Sequence, residues 1–127
     1  DQQMDLAYEN AIRAAIEDDK CKFTAFKIDG KEHNNDICDE IIAEIKRSKF
    51  MIADLTGYRG GVYYEAGYAE GLGKQVILTC RRDYFLGEEN KPKVHFDLEH
   101  KNIIIWETEQ ELKEKLINRI RATIDFN

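Results

Sequence analysis

An α/β fold, a parallel sheet covered by helices on both faces, is what this sequence predicts, and three observations carry that reading. Helical and strand periodicities alternate along the whole chain, in the order helix, strand, helix, strand, helix, strand, loop, strand, helix. Phe50 to Ala53 is an uninterrupted apolar run of strand length, the signature of a strand buried on both faces. Directly after it, Thr56, Gly57, Gly60 and Gly61 supply a turn whose backbone can adopt φ > 0, and a helical pattern resumes at Val62.

The elements follow in order. Met4 to Asp18 carries Leu6, Ala7, Ile12, Ala15 and Ile16 at near-helical spacing, which predicts an amphipathic helix ending in the charged cluster Glu17 to Lys20. Phe23, Ala25 and Ile28, with Thr24 and Phe26 between them, predict a short strand closed by a turn at Asp29-Gly30. Asn34, Asn35 and Asp36 offer capping side chains ahead of a second helix with the stripe Ile37, Ile41, Ile42 and Ile45. After the strand Phe50 to Leu55 comes a helix from Val62 to Leu72, with Val62, Ala66, Ala69 and Leu72 inward, closed by Gly71 and Gly73. Val76 to Thr79 predicts a strand, and Arg81 to Glu99, polar and holding the chain's one proline, Pro92, predicts a long surface loop. Asn102 to Trp106 predicts the last strand, and Glu109 to Asp125 a final helix with Leu112, Leu116, Ile120 and Ile124 on one stripe. Three-layer folds of this kind normally open on a strand, whereas this alternation opens on a helix. Either a first strand is missing or the sheet has four strands with a different edge.

With 127 residues, the chain reads as a single domain, 1–127, with one core. Its formal net charge of −6 argues against nonspecific binding to nucleic acid or an anionic membrane. No apolar run approaches the ~20 residues needed to span a bilayer, and the first residues lack a signal peptide's basic and apolar regions, so a cytoplasmic protein is expected. Cys21, Cys38 and Cys80 are an odd set without Cys-x-x-Cys spacing, and His33, His95 and His100 show no helical pairing, so neither a disulfide framework nor a metal site is expected.

The position with most chemical content is Glu65, a carboxylate about one turn into an apolar helix that follows a strand end and a glycine-rich turn. A glutamate there is held by a partner, kept from ionising by burial, or aimed at a ligand in the crevice beyond the strand's carboxyl end. The alternative is an end cap, since acidic residues suit a helix N-terminus.

The runs Asp29, His33 to Ile37, Ser48 to Gly57, Gly60 to Ala69 and Gly73 to Ile77 together resemble the nucleoside 2-deoxyribosyltransferase family and its TIR-like relatives. The sharpest part is Glu65-x-Gly67-x-Ala69 after an aspartate-ended strand, followed by Gly73-Lys74-x-Val76-Ile77. The resemblance implies a flavodoxin-like or Rossmann-like parallel sheet and an enzyme, free of cofactor, that cleaves or transfers at an N-glycosidic bond. In that family the motif glutamate is the nucleophile, which here is Glu65; a carboxylate opposite the base stabilises the oxocarbenium-like sugar or bonds to it. TIR-type NAD hydrolases use a glutamate for the same cleavage, and a noncatalytic nucleotide-sensing domain would keep the pocket without the chemistry.

The resemblance further implies a substrate shell drawn from Asp29, Asp39, Asp54, Arg59, Gly60, Gly61, Tyr64, His95 and Asp97. Asp36 is a second candidate for the role given to Asp39, and a strand-end aspartate such as Asp54 also caps the turn after it. Of Tyr63, Tyr64 and Tyr68, at most one is expected to touch ligand. His95-Phe96-Asp97 resembles a loop that closes over the pocket in some relatives, or is a loop anchored by Phe96. Two departures from the family pattern stand out: no strand with a glutamate-orienting aromatic precedes the first helix, and Arg59 stands where an acidic residue is common. An arginine there suits a phosphate, through bidentate contact, and so favours a nucleotide over a bare nucleoside. Because pockets in this family are often completed across a subunit interface, a homo-oligomer is expected as well.

Overall fold

The computed structural model describes residues 2–27, 39–57, 60–86 and 102–125, with the side chains of Gly60 and Leu86 left aside. The expected turn at Asp29-Gly30, the capping run Asn34 to Asp36, Cys38, the three histidines and Pro92 lie outside the described residues.

The first helix, α1, is continuous: Gln2–Ala7 is α-helical, Tyr8–Arg13 π-helical and Ala14–Ile16 α-helical, with Ala7, Arg13 and Ala14 all in right-handed helical φ/ψ. Its buried stripe is Ala7, Ala11 and Ala15, each fully inaccessible. Leu6, expected on that stripe, is instead 51% exposed. Positions four apart drift around an α-helix of 3.6 residues per turn, but the wider π turn holds them in line. The small alanines let α1 lie close against its neighbours.

α2 (Asp39–Arg47) buries Ile41 and Ile45. β1 (Phe50–Asp54) leads through Thr56 and Gly57 to α3 (Gly60–Gly71). β2 (Gln75–Arg81) runs into a short α4 (Arg82–Leu86), so the stretch expected as loop from Arg81 begins as a helix. β3 (Ile104–Trp106) and α5 (Glu109–Thr123) complete the described elements. Of the strand expected from Phe23 to Ile28, residues 23–27 form none and have no strand partner among the described residues, and Ile28 lies outside them. Two further corrections concern α3. Gly60 and Gly61 lie within its first turn, and among the described residues of that connection it is Gly57 that has a positive φ (+88°). Leu72, expected inward, is 41% exposed, because the helix ends at Gly71 and the chain turns through Gly73 (φ +80°).

The sheet is fully parallel, in the order β1-β2-β3, with Phe50 opposite Gln75, Asp54 opposite Thr79 and Thr79 opposite Ile104. Alternation sorts its side chains cleanly. On one face Phe50, Ile52, Ile77, Ile104 and Trp106 pack with the alanines of α1 and with Leu112, Leu116 and Ile120 of α5. On the other, Ala53, Leu55, Leu78 and Cys80 meet Ala66 of α3 and Tyr84 and Phe85 of α4, and Met51 and Val76 reach Ile41 and Ile45 of α2. This is the expected three-layer α/β arrangement. The α5 stripe is buried at all four expected positions, Leu112, Leu116, Ile120 and Ile124. Its start is fixed by Thr108, whose hydroxyl accepts the Glu111 N–H (3.1 Å), while Glu111 accepts from Glu107 N–H (2.7 Å).

Candidate functional site

At the carboxyl end of β1, Asp54 ties the three strand ends together. Its Oδ1 accepts the Thr56 N–H (2.9 Å), closing the turn, and its Oδ2 accepts both the Thr79 hydroxyl (2.6 Å) and the Trp106 indole N–H (2.9 Å). Thr56, itself buried, accepts the N–H of Arg81 at 2.9 Å. A carboxylate has room for about four hydrogen bonds, and three are taken here. A half-buried charge needs such partners. Asp54 therefore orders the rim of the site and has little capacity left for a ligand hydroxyl.

Along β1 runs a groove of ≈ 450 Å³, walled by α1, the segment 23–27 and β1, and by the start of α3 at its carboxyl end. That volume falls within the ~300–1,000 Å³ of ordinary small-molecule sites. Glu65 lines it, half-buried, together with Asp54 and Val62. Helix α3 starts at the carboxyl end of β1, so the first turn after Gly60 delivers Glu65 to the crevice where open α/β sheets hold ligands. Gly61 keeps that first turn bare, with nothing within 4 Å of where a Cβ would sit. Tyr8 and Lys27 face the same groove; the Lys27 ammonium lies 4.8 Å above the Tyr8 ring and 3.6 Å from Asp5. At the opposite end, Arg47 pairs with Glu44, and Lys49 lies over Phe23.

Of the residues expected at the site, the groove brings together Glu65 and Asp54. Asp39 is exposed in the first turn of α2, and Tyr64 is 60% exposed on α3; neither lines the groove. Gly60 and Gly61 open α3 beside it. Asp29, Arg59, His95 and Asp97 lie outside the described residues.

Trp106 and Thr79 were not foreseen as partners of Asp54, and no local signal could have shown them, since Trp106 is 52 positions away in sequence. Lys74, part of the Gly73-Lys74 motif, donates from Nζ to the carbonyls of Lys46 (3.0 Å) and Ser48 (2.8 Å). It caps the end of α2 and ties α2 to β2 rather than serving the groove.

Thiol chemistry has no footing among the described residues. Burial pushes the Cys80 thiol up to about 12, the neighbouring Asp54 charge adding to the effect, and burial likewise raises Cys21. Groups able to hold a metal ion are absent among the described residues, as is any helix long and apolar enough to cross a membrane. Comparison with family models, with curated proteins and with solved structures returns no match to this chain.

Proposed function

We propose that the chain cleaves or exchanges the N-glycosidic bond of a nucleoside or nucleotide, with Glu65 as the group that meets the anomeric carbon. The observation that carries this reading is the position of Glu65: half-buried, at the carboxyl end of β1, lining a groove of small-molecule size. The resemblance of Glu65-x-Gly67-x-Ala69 to the deoxyribosyltransferase motif supports the same choice of residue.

In this reading the bond from C1′ to the base nitrogen breaks with its electron pair leaving on the base. The Glu65 carboxylate stabilises the oxocarbenium-like sugar or bonds to its C1′ from the opposite side. Water, or the nitrogen of a second base, then takes the sugar from Glu65. Asp54 acts as a positioning residue, holding the turn between β1 and α3 through Thr56. A cytoplasmic setting and a homo-oligomer belong to the same reading.

The test is release of free base from a panel of nucleosides and nucleoside monophosphates, and of nicotinamide from NAD. Glu65→Gln is expected to lower release by about 10³-fold or more. Because the substitution nearly conserves shape, stability should stay within about 1 kcal/mol of the parent. Nicotinamide release alone moves the assignment to NAD cleavage, and saturable binding with no release moves it to nucleotide sensing. Release unaffected by Glu65→Gln removes the proposal.

A further inference from the structure

A lysine lies over a tyrosine ring at the Glu65 end of the groove. What that pair does follows from Glu65 being the group that meets the anomeric carbon, the reading on which this inference rests.

Helix α1 runs against the direction of β1, and two contacts fix how they are aligned. At the amino end of β1, Phe23 donates its N–H to Ile16 of α1 (3.0 Å) and sets its ring edge-on to Phe50, the centroids 5.3 Å apart. At the carboxyl end, Gln3 of α1 accepts from the guanidinium of Arg81, the last residue of β2 (2.9 Å). From Ile16 back to Tyr8, α1 rises about 12 Å at about 1.5 Å per residue, and from Phe50 to Asp54, β1 rises about 13 Å. Tyr8 is therefore about level with Asp54, at the end where Glu65 lines the groove. Met4, Tyr8, Ile12 and Ile16, each four positions from the next, all line it because the π turn Tyr8–Arg13 offsets the drift an α-helix would give them.

The Lys27 ammonium lies 4.8 Å from the centre of the Tyr8 ring and 3.6 Å from Asp5, and all three residues line the groove. The groove's other described cations, Arg47 and Lys49, stand at the amino end, where Arg47 pairs with Glu44 and Lys49 lies over Phe23. The pairing of Lys27 with Asp5 is loose. The lysine side chain is 49% exposed and the aspartate 64%, so water screens the pair and it contributes little. When Asp5 leaves, the tyrosine face still holds the ammonium at the groove, since the ring's electron-rich face attracts a cation. Asp54 does not compete for it, because its charge is answered by Thr56, Thr79 and Trp106.

We infer that Lys27, presented by Tyr8, is the subsite for the 5′-phosphate of a nucleotide whose C1′ faces Glu65. A 5′-phosphate sits only a few bonds from C1′, so the cation that receives it has to stand at the Glu65 end of the groove. Lys27 does, and Arg47 and Lys49 do not. A phosphate monoester brings about two negative charges and three strong acceptor oxygens, and so takes the ammonium from the single charge of Asp5, which turns to water. A neutral nucleoside has no charge with which to make that exchange. Lys27 thus sets specificity for a nucleotide, while Arg59, expected in that role from the sequence, lies outside the described residues.

Calorimetric binding to the Glu65→Gln chain, which separates affinity from turnover, tests this with adenosine, thymidine, their 5′-monophosphates and inorganic phosphate. The monophosphates are expected to bind more tightly than their nucleosides. Lys27→Met, which keeps the stem over Tyr8 and loses the charge, should lower that preference by about 10–100-fold, and Lys27→Arg should keep most of it. Asp5→Asn, which removes the competing carboxylate, should tighten monophosphate binding by about two- to fivefold. An unchanged preference in Lys27→Met overturns the inference, as does a loss that the nucleosides share equally or a chain that binds no monophosphate. So does inorganic phosphate bound as tightly as the monophosphates, which would mark a site for the free anion. Release assays on the parent chain keep the two readings apart. Base release with no preference for monophosphates removes the subsite and keeps the activity, whereas preferential binding without release removes the activity and keeps the subsite.

Discussion

Along β3 and the residues leading into it, the carbonyls of Ile105 and Asn102 are each taken by a cation from α5, Lys115 Nζ at 2.9 Å and Arg119 Nη1 at 2.8 Å, whereas β1, at the other edge of the described sheet, borders a groove lined by apolar and charged side chains. One edge is short, three residues, and closed by long charged side chains from its own chain, a usual defence against unwanted pairing. The other is five residues long and forms one wall of the groove. The difference separates an edge guarded by the cations of its own helix from one that forms the wall of a groove. Glu65, the half-buried glutamate of α3, lines that same groove.

The largest effect should come from what joins the two edges. Trp106, 1% exposed on β3, donates to Asp54 on β1. Trp106→Ala is expected to cost about 3–5 kcal/mol in urea unfolding. In a double-mutant cycle with Asp54→Ala, the two changes should fall short of additivity by about 0.5–3 kcal/mol. Full additivity would mean that the indole packs there without holding the aspartate.

A middle-sized effect lies in pH. Cys80, on the central strand, titrates at about 12 in the folded chain against 9.0 for a free thiol. Above pH 9 the unfolded chain loses that proton while the folded one keeps it. The stabilisation is therefore complete below pH 9 and declines as pH rises toward 12, by at most about 1.4 kcal/mol per pH unit. Melting curves from pH 8 to 11 should show this slope in the parent and a shallower one in Cys80→Ala. Equal slopes would show that the thiol plays no part.

The smallest effect belongs to the closed edge. Lys115 is half-exposed and also pairs with Glu111 at 3.0 Å, so Lys115→Ala should cost about 1 kcal/mol or less. The informative measurement is self-association. If α5's cations guard β3, the double change Lys115→Ala with Arg119→Ala should increase concentration-dependent assembly by light scattering, and an unchanged monomer fraction would refute that.

Much of this architecture was legible residue by residue. The α5 stripe was readable because one helix face meets one sheet face, so a period near 3.6 survives into burial. The buried run at Phe50 was readable because a doubly covered strand needs no alternation. The position of Glu65 followed from the glycine-rich turn and the apolar helix after it. Residues 23–27 carry the pattern of a strand yet form none among the described residues, because a strand exists only when a neighbour accepts its hydrogen bonds. The α1 stripe shifted because a π turn, invisible in composition, rotated it.

The sequence by itself determined the alternation of helix and strand from α2 onward, the buried stripe of α5 and the place of Glu65 about one turn into α3, since all of these arise from side chains close together in the chain. The tertiary structure alone decided that Asp54 is held by Thr79 and Trp106, that Lys74 serves α2, and that β1 shares a groove with α1 and the start of α3. Those contacts join residues tens of positions apart, and their partners are chosen by how the sheet and its helices pack rather than by local spacing.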